Sequence, residues 1–269
     1  MTDRAPFAGG DQGYLRDQQY RDGANLSARA SLHDRFSTAT LPLWGFIASR
    51  TPWTPDARVL DCGAGTGLLW QNEAAPRSIE LTVTDLSPGM VDAATASATA
   101  NGFGNVTSRV ADIQSLPFDD GTFDLVFANH MLYHVPDPAL ALAESARVLA
   151  PGGTLIASTN GYGHMAPLDE ILGPVFGETP RQLHDVFGID SGEALIRAVY
   201  RTLTWHAYDN DLLVTEAAAV VDYLRSFPPG ETATPQQVEA MQRQAEGLMV
   251  DGVLRIRPRA GVFVASEPR

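Results

Sequence analysis

The chain is predicted to fold as a doubly wound α/β sheet of seven mostly parallel strands, and three observations carry the prediction. Short β-branched and apolar runs alternate with helical stretches from Arg58 onward, the pattern of successive βαβ units. The first run leads directly into glycines at alternate positions, Gly63, Gly65 and Gly67, which suits a backbone that a ligand approaches closely. Asp61, Asp85 and Asp112 then recur at the ends of successive runs, where a sheet of this kind binds its ligand.

Taken in order, Met1 to Gly13 is rich in Gly, Asp and Ala without periodicity and reads as a mobile tail. Tyr14 to Phe36 carries an approximate helical spacing interrupted near Gly23, so two short helices are expected within a helical segment 14–50. Beyond Pro52 and Pro55, strands are predicted at 58–62, 81–85, 106–111, 124–128 and 154–158. Helices fill the gaps at 88–101, with Ser87 as N-cap and Pro88 in the first turn, and at 138–149, ended by Pro151-Gly152-Gly153. These elements form a core over 51–160. In the remainder, 161–269, helical patterns at 168–200, 215–227 and 235–248 surround a strand-like 202–208, and 253–265 reads as a strand or hairpin. The two late β segments are expected to complete the sheet, with the helices as a cap over its carboxyl edge.

Composition narrows the function. The 32 acidic residues against 19 basic ones give a net charge of -13, which disfavours nucleic acid and anionic membranes as partners. Arg255, Arg257 and Arg259 alternate as the solvated face of a strand does. One cysteine, Cys62, excludes a disulfide framework and a cysteine zinc site, and it fits a reducing cytoplasm. MTDRAPFAGG lacks the apolar stretch of a secretion signal, and no apolar run is long enough to span a bilayer. A cytoplasmic protein is therefore expected.

The loop itself discriminates between ligands. Counting from Gly63, Leu68 stands where a dinucleotide fingerprint wants its third small residue, which disfavours NAD. No Gly-Lys-Ser/Thr follows, so a phosphate-cradling P-loop is weaker still. Asp61 beside the loop suits an ammonium or sulfonium better than a pyrophosphate. Asp85, 22 positions after Gly63, is placed to accept from ribose hydroxyls, and Asp112 with Ile113 is placed to hold adenine. Singly, each acid is as often an N-cap or a solvated strand end; their order along successive strands raises the functional reading.

Over Trp53 to Asn160 the chain resembles the class I S-adenosylmethionine-dependent methyltransferases. The resemblance rests on VLDCGAGTG, TVTDLSPGMV, ADIQSLPFDDGTFDLVFANHMLYHVPD, VLAPGG and TLIAST. It implies a Rossmann-like sheet with S-adenosylmethionine as cofactor. The cofactor-binding roles fall on Asp61, Gly63, Gly65, Gly67, Asp85, Leu86, Asp112, Ile113 and Asn129, and Tyr14 and Tyr20 belong to a lid that folds over the cofactor. The segment Asn129-His130-Met131-Leu132-Tyr133 lacks the Asn/Asp-Pro-Pro-Tyr/Phe of amino-group methylation on adenine or glutamine. That points to the ubiquinone/menaquinone-type, small-molecule branch, with a secondary metabolite as the expected acceptor.

The implied activity is in-line transfer of the methyl group to an O, N or C nucleophile. A non-catalytic S-adenosylmethionine-binding protein and an NAD(P)-dependent oxidoreductase are the rival readings. For a hydroxyl acceptor the base would be a histidine: His134 first, then His130 and His164, although a histidine after a strand often only caps a helix or bonds a carbonyl. Tyr133, Tyr162, Phe176, Trp205 and Tyr208 form either an aromatic wall for an apolar substrate or the cap's own core. Spacing of His130, His134 and Asp137 matches no metal motif, and no metal is expected. The oligomeric state stays open, a homo-oligomer included.

Overall fold

The computed structural model describes residues 4–177 and 183–269. The chain begins with a short helix α1 (Gln12–Tyr14) that runs into a π-helical turn (Leu15–Gln19), then α2 (Ala24–Phe36) and α3 (Leu43–Arg50). The core follows as β1 (Arg58–Cys62), β2 (Glu80–Asp85), α4 (Pro88–Ala100), β3 (Val106–Val110), β4 (Phe123–Asn129), α5 (Pro138–Val148) and β5 (Leu149–Asn160). Next come α6 (Pro167–Phe176), α7 (Leu183–Phe187), α8 (Ile189–Val199), β6 (Tyr200–Tyr208), β7 (Leu212–Val214), α9 (Ala217–Leu224), α10 (Pro235–Gly247), β8 (Leu254–Ile256) and β9 (Ala260–Pro268).

Seven strands form one sheet in the order β3-β2-β1-β4-β5-β9-β6. All are parallel except β9, which lies antiparallel between β5 and β6. Strand order reverses between β1 and β4, so the crevice outside their carboxyl ends is where a ligand belongs. Alternate residues of the buried strands serve opposite faces. Val59, Val83, Phe127, Ile156 and Val262 pack with Trp70 under α3 and α4, whereas Leu60, Val126, Leu155 and Phe263 pack under α5 and α8.

Three expectations change. Pro151-Gly152-Gly153 does not stop a helix but forms an irregularity inside β5: Phe123 pairs with Leu149 and Leu125 with Thr154, and the extra residues bulge out between. The segment 253–265 divides around Pro258, which cannot donate to a ladder. Leu254–Ile256 pairs with β7 in a separate two-stranded sheet, and Ala260–Pro268 enters the main one. The tail expected to be mobile is docked from Arg4 onward. Arg4 donates to the Pro136 carbonyl at 2.7 Å, Ala8 is buried, and Gln12 reaches Asp112.

The cap is also larger than the segment 161–269. Leu32 of α2 packs with Leu168, Ile171, Val220, Leu224, Met241 and Ile256, so lid and cap share a third hydrophobic core. Arg29 of α2 ties them further, donating to Tyr20 Oη, Gln19 Oε1, and Ser226 Oγ and carbonyl. Its guanidinium lies 5.5 to 5.8 Å from the centroids of Phe7, Tyr20 and Phe227.

Candidate cofactor and acceptor site

The glycine loop turns at the carboxyl end of β1 because Gly63, Gly65 and Gly67 take φ of 66°, 56° and 74°, a region closed to most side chains. Gly67 has a second constraint: a Cβ there would stand 2.9 Å from Ala94 Cα on α4. It serves helix packing rather than ligand contact. Leu26 of α2 and Met131 bound the space above Gly65 and Gly63.

Asp85 ends β2 facing this loop. Its Oδ2 accepts from Gly65 N–H at 3.0 Å and its Oδ1 from Ser87 N–H at 2.9 Å. Burial pushes its carboxyl above the usual carboxylate range, against the N–H groups of Ser87, Gly65 and Leu86, which pull it down. Each carboxylate oxygen still has lone-pair capacity for a further donor. Ser87 sits at the N-cap position of α4, yet its hydroxyl makes no capping bond and is buried without a partner.

Asp112 follows β3, with both oxygens facing amides. Gln114 N–H donates to Oδ1 at 2.9 Å, Gln114 Nε2 contacts both oxygens, and Gln12 Nε2 donates to Oδ2 at 2.9 Å. Ile113 beside it is buried in the core. Arg147 holds the loop beyond, donating to the Leu116 and Phe118 carbonyls while paired with Glu144 and Asp120.

At the end of β4, Asn129 is 7% exposed and neither its Oδ1 nor its Nδ2 has a partner. It lies in register with Ser158 of β5, also buried with an unpartnered hydroxyl. His130 next to it takes φ of 51° and donates its N–H to the Ser158 carbonyl at 3.0 Å. Its Nε2 is buried and unpartnered, and burial lowers its pKa to about 4. The orphaned atoms of Ser87 and Asn129, with the Asp85 carboxylate between loop and α4, fit a ligand carrying both a hydroxylated ring and a polar tail.

Residues 60–157 match the family model described as a methyltransferase domain. The sequence match to a methyltransferase domain thus lies within the core. Among relatives, the ubiquinone biosynthesis O-methyltransferase of Xanthomonas campestris pv. campestris (strain B100) is 40% identical over 116 residues, covering 42% of this chain and 47% of that protein. The malonyl-[acyl-carrier protein] O-methyltransferase of Hahella chejuensis is 41% identical over 106 residues, covering 38% and 36%. The chain thus spans less than half the length of these curated relatives. A candidate methyltransferase of Bacillus halodurans C-125 shares the fold at a TM-score of 0.62 and 18% identity, covering 84% of this chain and 99% of its own.

Several sequence-predicted residues are engaged with other groups of the protein. Asp61 points to Trp70, accepting from its Nε1–H at 2.8 Å, and burial with the Asp85 charge raises its carboxyl to about 7. Tyr14 is turned to the cap, where its hydroxyl donates to Glu231 at 2.5 Å and accepts from Gln19. Tyr20 places its hydroxyl between Arg29 and His134. Both ring nitrogens of His134 are engaged, Nδ1 with the Phe7 carbonyl at 2.6 Å and Nε2 with Tyr20 Oη at 2.7 Å. With Nδ1 donating, the ring is neutral and fastens the lid, and burial lowers its pKa to about 3. The preferred base is therefore occupied as a tether. His164 accepts from Arg259 N–H at 3.1 Å, ahead of β9.

Other residues of the site carry no sequence signal strong enough to find them. Gln12 lies in a segment without periodicity, Ser87 reads as a plain N-cap, and His33 of α2, electrostatically coupled to His130, sits far away in the chain. Among the aromatics, Tyr133 packs 6.4 Å from His130, while Trp205 packs at a tilt against Phe263 in the sheet and Tyr162 is exposed beside His184.

Proposed function

We propose that the chain binds S-adenosylmethionine and moves its methyl group to a small-molecule acceptor held at the ends of β4 and β5. The observation that carries this reading is the buried, unpartnered carboxamide of Asn129 at the switch point, at the same end of the sheet as the Asp85 carboxylate two strands away, within the segment that matches a methyltransferase domain. When bound, the cofactor supplies a methyl group made electrophilic by a sulfonium and open to in-line attack.

Each residue then has a task. Asp85 and the free hydroxyl of Ser87 hold the ribose diol, with the Leu86 backbone against the same carboxylate. Asp112 accepts from the adenine amino group and Ile113 lines the ring. The Asn129 carboxamide meets the methionine end. Gln12, Tyr20 and Leu26 close over the site and keep water from the reacting centre. A net charge of -13 supports a small molecule over a nucleic acid as acceptor. That both curated relatives are named O-methyltransferases favours oxygen as the acceptor atom.

Calorimetric titration with S-adenosylmethionine and S-adenosylhomocysteine, with NAD as control, tests the reading. Both sulfur ligands should bind and NAD should not. Asp85→Ala should weaken binding by about 1.5 to 3 kcal/mol, because charged hydrogen bonds are lost in a closed site. Wild-type affinity in that variant would remove the ribose assignment. Binding without turnover on any acceptor would leave a non-catalytic binding protein.

A further inference from the structure

Past the cofactor site, the ends of β4 and β5 hold a second group of buried polar atoms without partners. Ser158 Oγ, Asn160 Oδ1 and His130 Nε2 are all of this kind. Ser158 and Asn160 are two apart on β5 and so share a face, the one continued by Ile156 and Val262 and covered by α3. From α3, Trp44 presents its ring to His130 at 6.1 Å and 79°, while Tyr133 flanks the same imidazole. His130 also holds an αL backbone, an uncommon state for a side chain of its size and one that clusters at functional sites. Protonation of His33 lowers His130 further, after burial. His33 and His130 are themselves neutral near pH 7, since burial lowers each to about 4.

A ligand group seated here meets an uncharged set: the Asn160 carboxamide oxygen, the His130 imidazole, whose Nε2 accepts when the proton is on Nδ1, and one hydroxyl that both gives and takes, with the Asn129 carboxamide in register with Ser158. A carboxylate would find no cation among these groups to balance its charge. We propose that the acceptor is a neutral hydroxyl compound with a flat apolar body, its O–H donating to His130 Nε2 and its oxygen accepting from Ser158 Oγ, with Trp44 and Tyr133 against the ring. This rests on the methyl-transfer reading above. As the oxygen–carbon bond forms, the carbon–sulfur bond breaks with its electron pair left on sulfur, and the hydroxyl proton passes to His130 Nε2 and on to water. A weak base suffices, because a hydroxyl oxygen that has gained a methyl group is a far stronger acid than imidazolium.

The test compares phenol, benzoate and phenyltrimethylammonium by NMR titration of the full chain, with and without S-adenosylhomocysteine. His130→Asn keeps a residue that tolerates the αL backbone, and Ser158→Ala removes only the hydroxyl. Phenol should bind at least about 10-fold tighter than either charged analogue, and each variant should lose about 5- to 10-fold of phenol affinity. Ser158→Ala should not lower Tm, because its hydroxyl bonds to nothing in the protein, and a merely structural role predicts a fall; His130→Asn, which also removes ring contacts to Trp44 and Tyr133, is read on affinity alone. Benzoate binding as well as phenol, or unchanged phenol affinity in both variants, overturns the proposal. The S-adenosylhomocysteine titration is read separately. A chain that binds phenol in this residue-dependent way but no sulfur ligand keeps the hydroxyl site and loses the methyl-transfer reading.

Discussion

Asp61 and the histidines after β4 show what burial does to individual groups. The Asp61 carboxyl is held at about 7, first by burial and then by the Asp85 charge, against the Trp70 N–H that pulls it down. Its folded value lies above the unfolded one, so the stability tied to its protonated form is present below about pH 4 and drains as pH climbs to 7. Asp61→Asn keeps the bond to Trp70 and should remove that loss. Denaturant titrations should find the variant more stable than wild type at pH 8, by up to about 4 kcal/mol, with little difference at pH 4. Parallel pH profiles would show that Asp61 stays ionised in the folded chain. The sequence reveals the acids because carboxylates at successive strand ends form a pattern. It does not separate His130 from His134, four positions apart: one has both nitrogens bonded and the other keeps a buried Nε2 free. That difference arises from where the N-terminal segment docks, which no local pattern reports.

The lid is an element built from weak, distributed ties. Glu231 of the cap accepts from Tyr14 Oη and Gln19 Nε2, Ser226 takes Arg29, and His134 takes Tyr20 and Phe7. Glu231→Ala removes two hydrogen bonds to a carboxylate and should loosen closure by about 1 to 2 kcal/mol. Amide hydrogen exchange should then quicken roughly 5- to 30-fold over residues 5–23, with the strands of the core unaffected. Unchanged exchange in the variant relative to wild type would mean that the lid opens without breaking these ties. The strand run Arg58–Cys62 is legible in the sequence because buried strands are rich in apolar and β-branched residues, and the exposed edge strand Val106–Val110 through its β-branched Val106, Thr107 and Val110. The division of 253–265 is not, since which ladder each half joins depends on β7, more than forty residues earlier.

For the molecule as a whole, three buried imidazoles dominate the response to acid. His33 and His130 are lowered to about 4 and His134 to about 3, all chiefly by burial. Each is depressed relative to the unfolded chain, so its stabilising share is complete above about pH 6.5 and is lost as pH falls to 4 and 3. Asp61 runs the opposite way over the same window, one group against three. Tm by calorimetry should therefore fall between pH 7 and pH 4, and the lid, which His134 fastens, should detach first. A Tm that rises on acidification would contradict the neutral, buried state of these rings.

The place of β9 sets an order of events during synthesis. Its neighbour β6 emerges without a sheet partner and waits until β7, α9, α10 and β8 have all been made. The cap can gather around α2 in that interval, before the sheet closes. A chain halted ahead of Ala260 would leave the flank of β5 and both flanks of β6 unpaired, open backbone that invites strand addition from other molecules. The final strand is thus a seal: until it slides between its two neighbours, the nascent chain carries an aggregation hazard that the finished one does not.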